Sequence, residues 1–167
     1  MSDAGFITIS VTGANTVRRK LVTWGKQVSD LTPAWQQIGA DLLNDFMDQI
    51  LSEGGTYGRW SNWKPLSPYT VKDRLRKGYG GEHPIMWRTG LLLRSLSFQD
   101  APGNVFIVRP ASLVVGSEIF YAGYHQTGTP KMPARPLVGL SRKRQSGIVQ
   151  RLNDYIQDQI RQAGLDS

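Results

Sequence analysis

Cysteine is absent from this chain of 167 residues, and histidine occurs only twice, at His83 and His125. Without a thiol there is no disulfide framework, no thiolate metal site and no Cys/His nucleophilic pair, a pattern that suits the cytoplasm. No apolar run approaches the roughly 20 residues that a membrane-spanning helix needs, and the first five residues lack the basic and apolar regions of a signal peptide. We therefore expect neither a membrane segment nor a secretion signal.

The motifs of several enzyme classes are also missing. The sequence has no Gly-x-Ser-x-Gly elbow, no Gly-x-x-x-x-Gly-Lys-Ser/Thr phosphate loop and no His-Glu-x-x-His zinc motif. Closely spaced carboxylates on the long predicted helix are Asp41, Asp45 and Asp48, which have the spacing of a helix flank, and such flanks are usually solvated. A Ser-His-acid arrangement stays open, but the sequence predicts a protein that is not an enzyme and has no cofactor and no metal site.

The length and composition are those of one globular domain, which we expect to span residues 1–167, with 40% apolar and 20% charged residues. The net charge of +7 is unevenly distributed. Residues 131–151 carry six basic side chains and no acid, whereas residues 30–53 carry five acids and no base. This division fits an acidic partner, contacts between copies of the chain, or simply two solvated faces of opposite sign.

Helical patterns dominate both halves of the chain. Thr32-Pro33 predicts the start of a long helix, because threonine is a good cap and proline fits the first helical position. Gly54-Gly55 predicts its end. Between them runs an apolar stripe at spacings of three and four. We predict further helices over residues 16–28, 68–77 and 142–163, and a single helical turn over residues 120–126.

Strands are predicted in two places. Residues 6–11 alternate apolar and polar side chains, which indicates a half-buried strand. Residues 91–95 are a brief helix or a strand entry, and strands over 96–99, 105–108 and 113–115 follow, separated by turn residues, as in an antiparallel meander. The predicted fold class is α+β, with a small antiparallel sheet formed by the N-terminal strand and the meander and packed against long amphipathic helices.

A stiff proline-rich arm is predicted over residues 127–136, where Pro133 and Pro136 flank Arg135 and disfavour helix. Residues 54–65 form a glycine- and tryptophan-rich loop, and residues 78–84 a mobile stretch. Trp60 and Trp63 lie beside basic residues, a mixture found in single-strand binders; protein contact or local packing is the favoured interpretation.

His125 follows Tyr121 by four residues, so in a helical turn the two side chains would share one face. One interpretation makes His125 a contact at a subunit boundary. The favoured one makes it a hydrogen-bonded histidine that locks the following loop.

Several tracts, taken in order, resemble the phage virion morphogenesis family, typified by the morphogenesis protein of phage Mu and by tail completion proteins. They are Trp63-Lys-Pro-Leu-Ser-Pro-x-Thr70, Leu75 to Lys77, Met86-x-x-Thr89-Gly90-x-Leu92, Val115-Gly-Ser117, Tyr121-Ala-x-x-His125-Gln-x-Gly128 and Met132-Pro-Ala-Arg-Pro-Leu-Val-Gly-Leu140.

The resemblance implies a structural protein of the head–tail neck that forms a ring, with six copies as the first expectation, and helps to join the DNA-filled capsid to the tail. The implied partners are other copies of the chain and adjacent neck, portal-side or tail-terminator proteins. Genomic DNA would pass through the ring without sequence-specific binding, and the protein would move from the host cytoplasm into the virion. The alternative is a basic DNA-binding module acting in assembly or packaging, since residues 131–151 are basic.

The predicted contact residues lie in the tryptophan loop, in the 121–125 turn and in the arm. We expect Arg135 to pair with a carboxylate across a subunit boundary, because its planar fork binds carboxylates bidentately. The variant Arg135→Ala is then expected to leave the monomer folded and to lower the yield of joined particles. The full set of candidates is Trp60, Trp63, Pro65, Leu66, Tyr121, His125, Met132, Pro133, Arg135, Pro136 and Leu137.

Overall fold

The computed structural model describes residues 14–55 and 63–164, with the side chains of residues 14–18 and 27–28 excluded. The predicted strand over residues 6–11 and the candidate Trp60 lie outside the described residues. The described part has an α+β fold, as predicted. Its elements are α1 (Ala14–Val28), α2 (Thr32–Leu51), α3 (Pro68–Arg76), α4 (Leu91–Ser97), β1 (Asn104–Arg109), β2 (Ser112–Ser117), α5 (Ala122–Thr127) and α6 (Arg142–Gln162).

Helix α2 runs through the centre of the domain. It begins at Thr32 with proline in its first turn, as the sequence predicts. The prediction that Thr32 caps the helix is wrong, however, because Leu31 holds the cap position. Asp30 Oδ1 accepts the Thr32 N–H at 2.9 Å. The apolar stripe is buried in one core cluster with α4, residues 85–86 and Leu137. Burial of this stripe, more than capping, stabilises the helix.

Within residues 14–55 and 63–164 the sheet is a two-stranded antiparallel hairpin, and the predicted third strand of the meander is not formed. Strands β1 and β2 pair from Asn104↔Ser117 to Arg109↔Ser112. The expected strand over residues 96–99 is wrong, because Leu96 continues the helical spacing set by Leu92 and belongs to α4. Both leucines are buried in the core, so a helix satisfies the apolar pattern there.

The hairpin packs on α2 through a close approach at Gly39. A Cβ placed there would collide with the ring of Phe106, so only glycine lets β1 lie this close to the helix. The same Cβ would lie 3.3 Å from Leu113 Cδ1 of β2. The hairpin thus covers one side of α2, and α4 contacts both α2 and the hairpin.

Helix α6 lies against α2 and is joined to it by ion pairs. Arg144 binds Asp45 through two nitrogens, and Arg151 Nη2 donates to Asp41 Oδ2 at 2.7 Å. The prediction that this acidic flank is merely solvated is therefore wrong for Asp41 and Asp45. No helix within the described ranges is both long and apolar enough to cross a membrane.

Candidate functional site

An open groove of about 780 Å³ lies where several separate tracts of the chain meet. Its walls come from residues 64–70 and the adjoining α3, from residues 85–92, from the 121–125 turn and from residues 131–135. Four of the tracts that carry the family resemblance therefore border the same space, although they are far apart in the sequence. The groove is the candidate functional site.

Helix α3 supports one wall through the buried Arg74. Ser67 caps this helix by accepting the Thr70 N–H at 3.2 Å, and Pro68 occupies its first turn. The Arg74 side chain is 4% exposed, and its Nη2 donates to Trp87 O at 2.6 Å and to Pro84 O at 3.1 Å. These bonds tie α3 to the segment before α4. Arg74 Nε is buried without a partner among the described residues.

A second buried arginine, Arg135, joins the arm to residues 64–65 of the groove lining. Its Nε and Nη2 donate to Lys64 O at 3.1 and 3.0 Å, and Nη2 also donates to Pro65 O at 3.0 Å. Its side chain is only 4% exposed, and burial lowers the pKa of the guanidinium. Within this chain the partners of Arg135 are backbone carbonyls, and its pairing with a carboxylate of a neighbouring subunit stays a prediction. Arg135 fastens the arm to the start of the α3 tract.

The arm is non-helical, as predicted, and it is fastened to the domain at several further points. Gln126 Oε1 accepts the N–H groups of Leu137 and Val138 at 2.9 and 3.2 Å, and Gln126 Nε2 donates to Val138 O at 2.8 Å. Gly128 (φ 77°) ends α5, and a Cβ there would lie 2.7 Å from Ala134 N. A side chain at this position would push the arm away. Hydrogen bonds from Gln126 and the close packing at Gly128 therefore fix the position of this groove wall.

Tyr121 and His125 share one face of the α5 turn, as the spacing predicts, with ring centroids 6.0 Å apart. The His125 carbonyl accepts the Arg135 N–H at 2.7 Å, so His125 fixes the loop through its backbone. The favoured interpretation needs one correction, because the imidazole Nδ1 is buried without a partner in the described chain. Burial lowers the pKa of His125, and the charge of Arg135 lowers it further.

The groove is strongly cationic. Asp73, a carboxylate in its lining, is bound by Lys77 and Arg76, and these hydrogen bonds lower its pKa. The basic side chains that line the groove itself form no ion pair with any described residue. The lining also contains apolar side chains such as Met86, Leu92 and Met132. The arrangement suits a ligand that combines negative charge with apolar surface. The basic side chains of the groove are Lys64, Arg74, Arg88, Lys131 and Arg135.

The predicted contact residues fall into three groups. Trp63 and Leu137 belong to the core and are 7% and 1% exposed. Pro136 is half-buried, and its carbonyl accepts a bond from Gln49 Nε2 at 3.1 Å. Roles in contacts between subunits stay predictions for the whole set. Those that line the groove are Pro65, Leu66, Tyr121, His125, Met132, Pro133 and Arg135.

Sequence reasoning did not single out three cations of this site, namely Arg74, Arg88 and Lys131. Arg88 lies within the Met86 to Leu92 tract of the family resemblance, so the sequence could have identified it as a candidate. The exposed Arg88 guanidinium lies 5.0 Å from the centre of the Tyr79 ring. The burial of Arg74 leaves no signal in sequence, because it depends on carbonyls 10 to 13 residues away. No group of three His, Asp or Glu side chains in the described ranges could hold a metal ion.

Comparison with known proteins gives one family. No curated protein and no solved structure matches the chain. The model of the phage virion morphogenesis family matches residues 12–157, which include all of the tracts around the groove. The match extends from the start of α1 into α6 and covers most of the chain. The chain therefore belongs to the phage virion morphogenesis family.

Proposed function

We propose that this protein is a structural component of the phage head–tail neck, where a ring of copies helps to join the DNA-filled head to the tail. A ring of six is the working model, with adjacent neck, portal-side or tail-terminator proteins above and below it. Membership of a virion morphogenesis family supports a role in building the particle. The groove supports a role that depends on docking.

The observation that carries the proposal is the convergence of separate tracts on a preformed, open surface. Arg74, Arg135 and Gln126 hold the walls through hydrogen bonds to backbone groups. A surface fixed in this way loses little conformational entropy when a partner binds, which favours docking. Rigid walls with cationic and apolar lining are features of a contact site.

A structural role is proposed in preference to a catalytic one. Concerted acid–base catalysis uses an acid and a base that both reach one substrate. In the groove, Asp73 is held by two cations, and the pKa of His125 is lowered by burial, which favours its neutral form. Neither arrangement brings an acid and a base together at a shared point.

The DNA-binding alternative has less support from the charges of α6. Arg144 and Arg151 bind the carboxylates of α2, which leaves Arg142 and Lys143 as the exposed bases near the start of the helix. Two adjacent exposed bases provide a small electrostatic footprint for a duplex. DNA passage through a ring remains compatible with this surface, without sequence-specific binding.

Electron microscopy of lysates from the parent phage with this gene disrupted tests the proposal. We expect full heads lying apart from finished tails, and a return to joined particles when the intact gene is supplied from a plasmid. Normal, infectious particles in the disrupted lysate would refute a joining role. Defective tails with no free full heads would place the protein in tail building instead.

A further inference from the structure

The chain carries a second exposed patch whose chemistry complements the groove. We call it the acidic corner, formed by Phe98, Asp100, Glu118 and Phe120, all of which are exposed. Phe120 is 81% and Phe98 55% exposed, so both rings are open to solvent. The corner therefore presents two aromatic rings and two carboxylates to the outside.

The acidic corner is built on ordered backbone. The Glu118 N–H donates to Gly103 O at 2.8 Å, which joins the end of β2 to the loop that follows α4. The hydroxyls of Ser95 and Ser117 lie 2.8 Å apart beside this junction. Within the described residues, neither Asp100 nor Glu118 forms an ion pair. Its charges are therefore available to a partner.

The groove shows the opposite imbalance. Its two buried cations, Arg74 and Arg135, contact only neutral carbonyls, and its exposed cations Lys64, Arg88 and Lys131 have no described carboxylate partner. A buried charge that is solvated only by dipoles gains when an opposite charge arrives. A carboxylate placed in the groove would supply that charge, and an aromatic ring would cover its apolar lining.

We propose that the groove of one copy receives the acidic corner of the next copy, so that each subunit supplies the carboxylates that its neighbour lacks. This inference rests on the proposed ring. Leu91 and Leu92, at the start of α4, line the groove, whereas the acidic corner follows the end of the same helix. On another side the patches adjoin, because the Phe120 ring of the corner packs edge-to-face with the Tyr121 ring of the groove wall, with centroids 5.2 Å apart. Two different patches on one subunit make a head-to-tail contact, the type that closes into rings.

The chemistry favours a second copy over DNA as the occupant. A phosphate backbone would satisfy the exposed cations but would leave the partly exposed Leu66, Met132 and Pro133 against a polar ligand. The acidic corner offers both carboxylates and rings, which matches both parts of the lining.

Charge reversal with rescue tests the contact. The groove variant carries Arg88→Glu and Lys131→Glu, the corner variant carries Asp100→Lys and Glu118→Lys, and a fourfold variant carries all of these changes. The matched control, Arg109→Glu with Lys143→Glu, reverses two exposed cations outside both patches. Each is purified, and its self-association is measured by sedimentation velocity at low salt.

We expect the groove and corner variants each to weaken self-association more than about tenfold, because like charges would face each other. The fourfold variant, which carries all four substitutions, should recover most of the lost affinity for self-association. The control variant should associate as strongly as wild type. Loss without recovery in the fourfold variant, or normal association of the corner variant, would overturn the proposal.

Introduced cysteines test the same contact inside the particle, where assembly does not depend on the isolated protein. Because the chain has no cysteine, the double variant Glu118→Cys with Lys131→Cys has only the introduced thiols. Oxidised virions should give a ladder of linked chains, and each single variant should not. Cysteine pairs at positions 100 and 88, 100 and 131, and 118 and 88 are tested as well, because the distance between two thiols across the contact differs from pair to pair.

The failures of the two proposals can be told apart. If none of the four pairs links subunits while the disrupted gene still separates heads from tails, the self-contact is wrong and the joining role survives. If the groove variant abolishes joining but associates normally, the groove receives another virion protein. Salt-sensitive binding of a 30-base-pair DNA that only the groove variant loses would assign the site to nucleic acid.

Discussion

Replacing Arg135 by alanine should destabilise the subunit itself, contrary to what the sequence predicts. The substitution removes three hydrogen bonds and leaves two acceptors, Lys64 O and Pro65 O, without their donors. A buried acceptor left unsatisfied costs about 1–3 kcal/mol. With two acceptors and partial rehydration by water, the free energy of unfolding should fall by about 2–4 kcal/mol.

Urea unfolding followed by tryptophan fluorescence measures this loss. For a chain of this size the same change should lower the melting temperature by about 5–15 °C. Lys131→Ala, on the same arm but with an exposed side chain, is the matched control and should change stability by no more than about 0.5 kcal/mol. Arg135→Lys keeps the charge but not the fork, so it should recover only part of the loss.

The reasoning would be refuted if Arg135→Ala unfolded within about 1 kcal/mol of wild type. Such a result would mean that the carbonyls are satisfied by water at no cost and that the arm does not depend on this side chain. It would then return Arg135 to the role predicted from sequence, a residue whose removal affects joining but not folding.

Three other substitutions test the site's support. Gln126→Ala removes three bonds to the arm and should lower the free energy of unfolding by about 2–3 kcal/mol in urea, whereas Gln145→Ala, with a single exposed bond, should have little effect. Leu137→Ala, at a position 1% exposed, should cost about 2–5 kcal/mol by calorimetry, and Leu140→Ala much less. The pKa of His125 is lowered in the folded protein, so below pH 6.5 the unfolded chain binds more protons and wild type should lose stability as the pH falls. His125→Phe removes this group and should flatten the pH dependence of the urea midpoint. An unchanged slope in the variant would contradict this reasoning.

Helices α2 and α3 were predictable because both have a boundary signal and α2 also has a clear apolar pattern. Pro33, the apolar stripe of α2 and the Ser67-Pro68 start of α3 are local features, and local features specify helices well. The β1–β2 hairpin was predictable from two short runs of β-branched and other apolar residues on either side of the turn residues Pro110-Ala111. The segment 96–99 failed because a short apolar run fits a strand and a helix equally, and contacts with α2 decide between them.

The site was predictable only in outline. The tracts that border the groove stand out in the sequence through their prolines and aromatic residues, but their meeting depends on bonds such as Arg135 to Lys64 O, which span 71 residues. Burial was the property that sequence analysis most often missed. Trp63 and Leu137 were predicted as contact residues, but both are buried in the core cluster. The acidic flank of α2 was misjudged for the same reason, because its partner α6 lies about 100 residues away.

The central claim is that this protein joins heads to tails, and joining can be measured directly. Full heads and finished tails are purified separately from lysates of the disrupted phage, then mixed with or without the purified protein. We predict that plaque-forming particles appear in proportion to added protein, with joined particles in the microscope and with no gain from heat-unfolded protein. Mixtures that stay unjoined and non-infectious with native protein, or that join equally well without it, would contradict the account.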